Sequence, residues 1–405
     1  MSARLALTLP FLLAVPASVY VLRHVRIIQL ESLRERIVWT FRSWRANYPV
    51  PLDMDRWKIV ETEDGDEEFW EDVRVKIRTW EFLAPFFASR GYLLYQSDPS
   101  NISSVYPAPT TDTRPHFESK FPYARRVYTE DRENEFAMAP RVWAARDTLG
   151  RDVVIRLISG RIPSDELKIF QRLNTPEVRA DPRNHSIYAL DYVCFDGLTF
   201  VVMPMWGDAF SPDFHTVREI MHFTDAFLEG LDFLHEHRIA HCDLLPQNTG
   251  MNVLYVSYAA YVTGLRDPSV SHYAIFDFGW SLIYPYDTVL EDVEVLGHCR
   301  FPIRGLPTPS GPCNPFAFDV ISLGIMLQRW VRHIEGIVPD IGPFFDSMVD
   351  SDTTQRFTAR QALLHFRNIY SRLSLSQLNS LVTGQFWDEG HVQTKTSLCN
   401  GNMNT

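Results

Sequence analysis

The sequence predicts an α+β fold of two lobes, a small β-rich lobe followed by a larger helical one. Two observations predict it. Ahead of residue 206 the apolar residues fall in short runs broken by turn signals, with one helical stretch among them. From Val217 onward they recur at helical spacing, as in the stripe Ile220, Phe223, Phe227, Leu228, Leu231 and Leu234. A third observation adds an N-terminal membrane-span candidate, because residues 5–22 are 18 consecutive residues without a charge.

A chain of 405 residues with 45% hydrophobic and 13% aromatic residues can bury a full-sized core. Its net charge of −11 excludes nucleic acid as a general partner, since phosphate binding needs a dominant basic surface. The five cysteines, 194, 242, 299, 313 and 399, contain no CxxC pair. Their spacing indicates neither a zinc cluster nor a disulfide framework and suits reduced thiols.

At ~1.5 Å per residue a helix over 5–22 reaches ~27 Å, enough to cross a bilayer core. A cleaved signal peptide is the competing reading, through Val15-Pro16-Ala17. Arg23, Arg26, Arg34, Arg36, Arg42 and Arg45 follow the run, which favours an anchor (1–26) that leaves the rest of the chain cytosolic. The stripe Leu30, Leu33, Ile37, Phe41 and Trp44 either lies on an anionic leaflet or packs on the folded domain. Eight acids crowd residues 61–72, and helical character returns over 69–89, which makes 27–97 a helical and acidic juxtamembrane region. Residues 98–125 hold Pro107-Ala108-Pro109 and Arg114-Pro115 and read as a linker.

Beyond the linker, 136–146 and 152–158 read as paired strands around the break Thr148-Leu149-Gly150. Ser164 is placed to cap a helix whose first turn carries Asp165 and Glu166. The apolar run 199–205 reads as a buried strand, and helices follow over 217–235, 321–331 and 359–373. Residues 376–405 lose periodicity and read as a flexible tail.

The chemistry concentrates on His241-Cys242-Asp243-Leu244-Leu245-Pro246-Gln247-Asn248, a polar loop between two apolar elements. A carboxylate five residues before an amide suits phosphoryl transfer: Asp243 can orient a hydroxyl nucleophile while Asn248 offers an oxygen to Mg²⁺. Asp277-Phe278-Gly279 follows a strand-like apolar run and supplies a second carboxylate. Together these motifs resemble the catalytic loop and metal site of the eukaryotic protein kinases. Asp319-Val320-Ile321-Ser322-Leu323-Gly324 and Arg356-Phe357-Thr358-Ala359 are similar to two later motifs of that family. The resemblance covers about 126–373, within a domain placed at 126–375.

The resemblance implies a bilobal protein-kinase-like fold with ATP and Mg²⁺ as cofactors and a protein substrate or partner. Asp243 would handle the substrate hydroxyl's proton, and Asn248 and Asp277 would hold the metal. Arg156 would meet the nucleotide phosphates and pair with Glu166. Met203 would stand at the back of the adenine pocket, and Pro204 and Trp206 would meet adenine through their backbone. His241 would be structural, and Asp208 lies where a ribose contact is possible.

Several positions depart from the pattern. Aligning Val142 with the family's motif puts Glu135, Ala137 and Pro140 where three glycines would cover the phosphates. Arg156 replaces a lysine, Cys242 an arginine and Leu245 a lysine. No Ala-Pro-Glu precedes Asp319, so Arg356 is expected to lack a buried carboxylate partner, and 255–271 reads as an extra surface loop. The function expected is transfer of phosphate from ATP to a Ser or Thr hydroxyl. The alternative is a pseudokinase, a membrane-tethered binding module on the same fold.

Overall fold

Two largely buried segments, the five-residue Val142–Arg146 and the eight-residue Asp152–Ser159, form the hairpin from which the β-rich half grows. The structure is a computed structural model that describes residues 37–42, 44, 50–58, 67–98, 101–107, 120–127, 135–255, 264–299, 311–388 and 390–394. The chain divides into two compact units, Met1–Trp57 and Lys58–Thr405. In the first, residues 37–42 and 44 are helical, with Ile37, Phe41 and Trp44 exposed. The predicted span 5–22 lies outside the described residues. Among the described residues no helix is long and apolar enough to cross a membrane.

The second unit is mixed α+β. It opens on helix α1, Glu67–Ser89, whose first-turn acids Glu67 and Glu68 suit the positive end of the helix dipole. Strands β1 (Leu93–Leu94), β2 (Gln96–Asp98) and β3 (Asn101–Tyr106) follow. Next come β4 (Arg125–Arg126), β5 (Phe136–Ala137), β6 (Val142–Arg146) and β7 (Asp152–Ser159). The hairpin β6–β7 turns where predicted, with Gly150 at φ 76°, a backbone conformation that favours glycine. Helices α2 (Asp165–Leu173) and α3 (Pro176–Arg179) lead to β8 (Asp191–Phe195) and β9 (Leu198–Pro204). Ser164 caps α2 as predicted, accepting the Leu167 N–H at 3.0 Å. The result is a curled antiparallel sheet in the order β1-β6-β7-β9-β8.

After β10 (Gly207–Asp208) the chain turns helical. Helix α4 (Val217–Glu236) buries the predicted stripe and leads through β11 (Ile239–Ala240) to the loop at 241. Strands β12 (Thr249–Met251), β13 (Val253–Leu254), β14 (Tyr273–Ile275) and β15 (Leu282–Ile283) follow. Helices α5 (Pro315–Val331), α6 (Ile341–Met348), α7 (Ala359–Ser371) and α8 (Leu375–Leu378) and the hairpin β16 (Gln385–Asp388)–β17 (His391–Thr394) complete the unit. One apolar core runs from Phe170 and Val201 through Phe223, Leu231 and Tyr273 to Leu323, Phe345 and Phe366.

Four expectations are corrected. The region 67–98 is no separate element in front of the domain. Trp80 is fully buried, stacks on Trp143 of β6 at 5.7 Å and donates from Nε1 to the Pro140 carbonyl at 3.0 Å. Phe87 meets Phe200 of β9 at 5.2 Å, so α1 roofs the sheet with aromatic rings. The segment read as a linker contains β3, which pairs with β2 and β5, and β4, which runs parallel to β13. Polar composition did not prevent pairing, because the Asn101–Tyr106 backbone finds partners on both sides. The described part of the extra segment, residues 264–271, is anchored through Arg266, which is 1% exposed and donates to the Ala209 and Pro212 carbonyls, each at 2.7 Å. In the segment read as a flexible tail, the described residues include the end of α8 and a hairpin whose Phe386 is buried.

Trp80→Ala is expected to cost about 3–5 kcal/mol of unfolding free energy, measured by urea titration, because the ring is lost from a closed aromatic cluster. A loss below about 1 kcal/mol would mean that α1 contributes little to this domain.

Candidate functional site

The loop 241–248 takes its shape from a carboxylate beneath it. Asp319, in the second turn of α5, is completely buried, and its Oδ2 and Oδ1 accept the backbone N–H groups of His241 at 2.6 Å and Cys242 at 2.7 Å. His235 Nε2 lies 3.1 Å from the same Oδ2. With both amides held, Cys242 adopts a left-handed conformation, φ 63°, that turns the chain sharply ahead of Asp243. His241 points the other way, its Nε2 at 3.0 Å from the Phe276 carbonyl. The residue is thus tied to the chain on both sides of the loop.

A single turn at Pro246–Asn248 then brings the amide of Asn248 back to Asp243. Asn248 Nδ2 donates to the Asp243 carbonyl at 2.8 Å and to its Oδ2 at 3.0 Å. The predicted pair is therefore in direct contact. Because Nδ2 is committed to Asp243, the oxygen is the atom of the Asn248 amide left to meet a cation. Leu245 lies half-buried in the same loop.

Asp277 terminates the strand β14 side of the site in a left-handed conformation, φ 65°, and its carboxylate accepts the Gly279 N–H. Phe278 packs between Phe170 of α2, 5.4 Å away, and His241, 5.5 Å away. A column Phe170–Phe278–His241 thus rests on Asp319 through the His241 backbone.

Arg156 closes the site from the sheet. It lies on β7 between Val142 of β6 and Val201 of β9, and its Nε donates to Glu166 Oε1 at 2.6 Å. Its two terminal nitrogens both reach Asp277: Nη1 meets Oδ2 at 3.1 Å and Nη2 makes a short contact with Oδ1. The planar fork that distinguishes arginine from lysine is what allows one side chain to engage both carboxylates. Burial opposes the charge on Arg156, but Asp277 and Glu166 hold its pKa above the ordinary arginine value. Burial alone would raise the Asp277 carboxyl; Arg156, the Gly279 N–H, Arg141 and His241 outweigh it and keep it below the usual range.

Arg141 was not singled out from the sequence. It stands 3.7 Å from Glu166 Oε2, and burial with the neighbouring Arg156 charge lowers its pKa. A sequence signal for it exists, since it directly precedes the strand residue that pairs with Arg156. Both guanidiniums crowd Gly279, where an added Cβ would lie 2.9 Å from Arg156 Nη2 and 3.1 Å from Arg141 Nη2. Glycine at 279 is what lets the two cations approach the chain.

The other predicted residues fall on one strand end. Met203 is buried opposite Val154, and Pro204 lies opposite Val153. Trp206 directs its indole N–H to the Pro122 carbonyl at 2.7 Å, which leaves its backbone for any ligand contact. Asp208 accepts the Phe210 N–H at 2.7 Å and the Ser211 hydroxyl, so it braces a turn.

The position aligned with a phosphate-covering loop is corrected. The strand paired with β6 on its outer side is β1, Leu93–Leu94, and not 136–137, which pairs with β3 in a separate sheet. Glu135 contacts Ser104 there rather than a ligand. Arg356 donates to the Asp350 and Ala317 carbonyls at 2.7 and 3.0 Å. A cavity of about 550 Å³ opens between α4, α5 and the chain before α7, lined by Asp232, Phe316, Phe357 and Arg360. None of the site residues lines it.

Asn248 and Asp277 provide hard oxygen donors of the kind Mg²⁺ prefers. Among the described residues no group of three or more His, Cys, Asp or Glu side chains is arranged to hold a metal. A carboxylate has roughly four lone-pair sites, so Asp277 can keep Arg156 and still face a cation. By the chemistry of their donor atoms, the two residues fit such a cation. No protein-family model matches the chain, and no curated protein matches it.

Because Asp277 has a depressed pKa in the folded state, its contribution to stability is complete above the unfolded value of ~3.9 and is lost as pH falls through the folded one. Urea titration of wild type and Asp277→Asn should give a gap at pH 7 that narrows toward pH 3. A gap that widens on acidification would contradict the Arg156 pairing.

Proposed function

We propose that the chain is a protein-kinase-like phosphotransferase that binds ATP between the curled sheet and the helical half and phosphorylates a Ser or Thr hydroxyl of a protein. The observation that carries this reading is the Asp243–Asn248 pair on chain pinned by Asp319, joined through the packing of Phe278 on His241 to an Asp277 carboxylate held by the Arg156–Glu166 pair. Mg²⁺, when bound, would neutralise charge developing on the transferred phosphoryl group. Asp243 orients the acceptor hydroxyl and takes up its proton; Asn248, through its two bonds to Asp243, fixes the carboxylate's orientation. Arg156 supplies a fixed positive charge to the phosphates, and Glu166 fixes Arg156. Pro204 and Trp206 offer a backbone carbonyl and N–H to adenine, against Met203. The arginines after residues 5–22 support a membrane tether with this domain in the cytosol.

A specific observation favours a second reading, a pseudokinase that binds partners on the same fold. Arg156 engages both oxygens of Asp277, and the covering strand is replaced by an inserted sheet.

Thermal shift of the full-length protein with ATP, with Mg²⁺ or with EDTA, separates the readings. Catalysis predicts a rise in Tm of roughly 5 °C at saturating nucleotide that depends on Mg²⁺. Asp243→Asn should keep that shift and lower phosphate incorporation by about 10²-fold or more. A shift equal in EDTA, with no incorporation, selects the pseudokinase. No shift at millimolar nucleotide overturns the phosphotransferase reading.

A further inference from the structure

Away from the site just described, two cysteines that the sequence spaces fourteen positions apart meet. Cys299 is 1% exposed and packs against Phe318 and Ile321 of α5. Cys313 is half-buried, and its Sγ lies 2.6 Å from that of Cys299. The approach is fixed by backbone as well as by packing. Cys313 and Val295 exchange two N–H···O bonds of 2.9 Å, an antiparallel bridge that holds the chain entering Cys299 beside the chain leaving residue 312. Immediately after Cys313, Asn314 caps α5 by accepting the Ala317 N–H at 2.9 Å and donates to the Leu290 carbonyl at 2.6 Å. Packing alone leaves thiols near van der Waals separation. Two sulfurs this close, on chain already bridged, are placed for a bond.

We propose that Cys299 and Cys313 form an intramolecular disulfide on exposure to hydrogen peroxide, closing the ring 299–313 directly ahead of the helix that carries Asp319. The two thiols have different parts in the chemistry. Burial first, then the neighbouring Cys313, pushes the Cys299 thiol up, so it is a poor thiolate. Cys313, the more accessible, attacks the peroxide: its sulfur takes one oxygen, the O–O bond breaks, and the other oxygen leaves as water after gaining a proton. The Cys299 sulfur then displaces hydroxide from the Cys313 sulfenic acid, and its own proton leaves with that hydroxide as a second water. Two thiols and one peroxide become one disulfide and two waters, the peroxide being the electron acceptor.

The consequence reaches the pinned loop through one helix. Cys313 is one residue before the cap of α5, and Asp319 lies on the second turn of that helix. Closing the ring restrains the unfolded chain ahead of this helix and ties its N-terminus to the segment 295–299. Cys242, on the loop itself, is fully buried and is kept protonated by burial and by Asp319, which leaves it outside the exchange.

The test uses the full-length protein, reduced and then treated with stoichiometric hydrogen peroxide. Remaining thiols are alkylated, and a non-reducing digest is read by mass spectrometry. The expected product is a cross-linked peptide pair containing Cys299 and Cys313 that has lost two hydrogens, with Cys242 alkylated only after unfolding. Oxidation should raise Tm by about 5 °C. Cys313→Ser, at a half-exposed position, should fold and lose both the cross-link and the shift. A second variant, Cys242→Ala, should keep both. Alkylation at both Cys299 and Cys313 after oxidation, a cross-link through Cys242 or Cys399, or an unchanged Tm would each overturn the assignment.

Discussion

The interaction on which the rest of the site depends is the burial of one carboxylate, Asp319, under the backbone of the loop 241–248. A fully buried aspartate is costly unless its oxygens are satisfied, and here two N–H groups and His235 meet them. Hydrogen bonds to a charged group contribute roughly 1.5–3 kcal/mol each, enough to outweigh the strain of holding Cys242 at φ 63°. That turn sets the direction of Asp243, and the same His241 whose N–H is held from below carries Phe278 on its ring. The position of Asp277 therefore follows from Asp319 through two packed rings.

The second constraint is electrostatic. Two carboxylates, Glu166 and Asp277, share the site with two guanidiniums, Arg141 and Arg156, before any nucleotide is considered. A lysine at 156 would present a point charge to one acid at a time, whereas arginine bridges Glu166 and Asp277 at once. The bridge couples α2, the sheet and the Asp277 turn into one unit, and Gly279 is the position where that coupling would be lost to a side chain.

Much of this was legible in the residues. The hairpin β6–β7, the Ser164 cap, the strand at 198–204 and the apolar stripe of α4 announce themselves because each depends on neighbours a few positions away. The motif residues Asp243, Asn248 and Asp277 were legible for the same reason: their spacing is fixed by a short loop and a short turn. Arg141 was not, because its role depends on which strand lies beside β7. The strand at 101–106 was hidden by Pro, Ser and Thr around it, and α1 was read as a forerunner of the domain because nothing in its sequence names Trp143 and Phe200 as its partners.

Local periodicity and capping chemistry by themselves determined the α+β class, most helices and the identity of the acidic and amide residues in the loop. Tertiary structure decided the rest: that β1 rather than residues 136–137 flanks β6, that the described parts of the supposed linker and tail contain paired strands, that Arg156 spans two acids, and that Cys299 meets Cys313. The physical reason is the range of the interactions. A helix or a turn is decided by bonds within about four residues, whereas strand order, ion pairing and thiol contact join residues whose separation along the chain carries no signal of their distance in space.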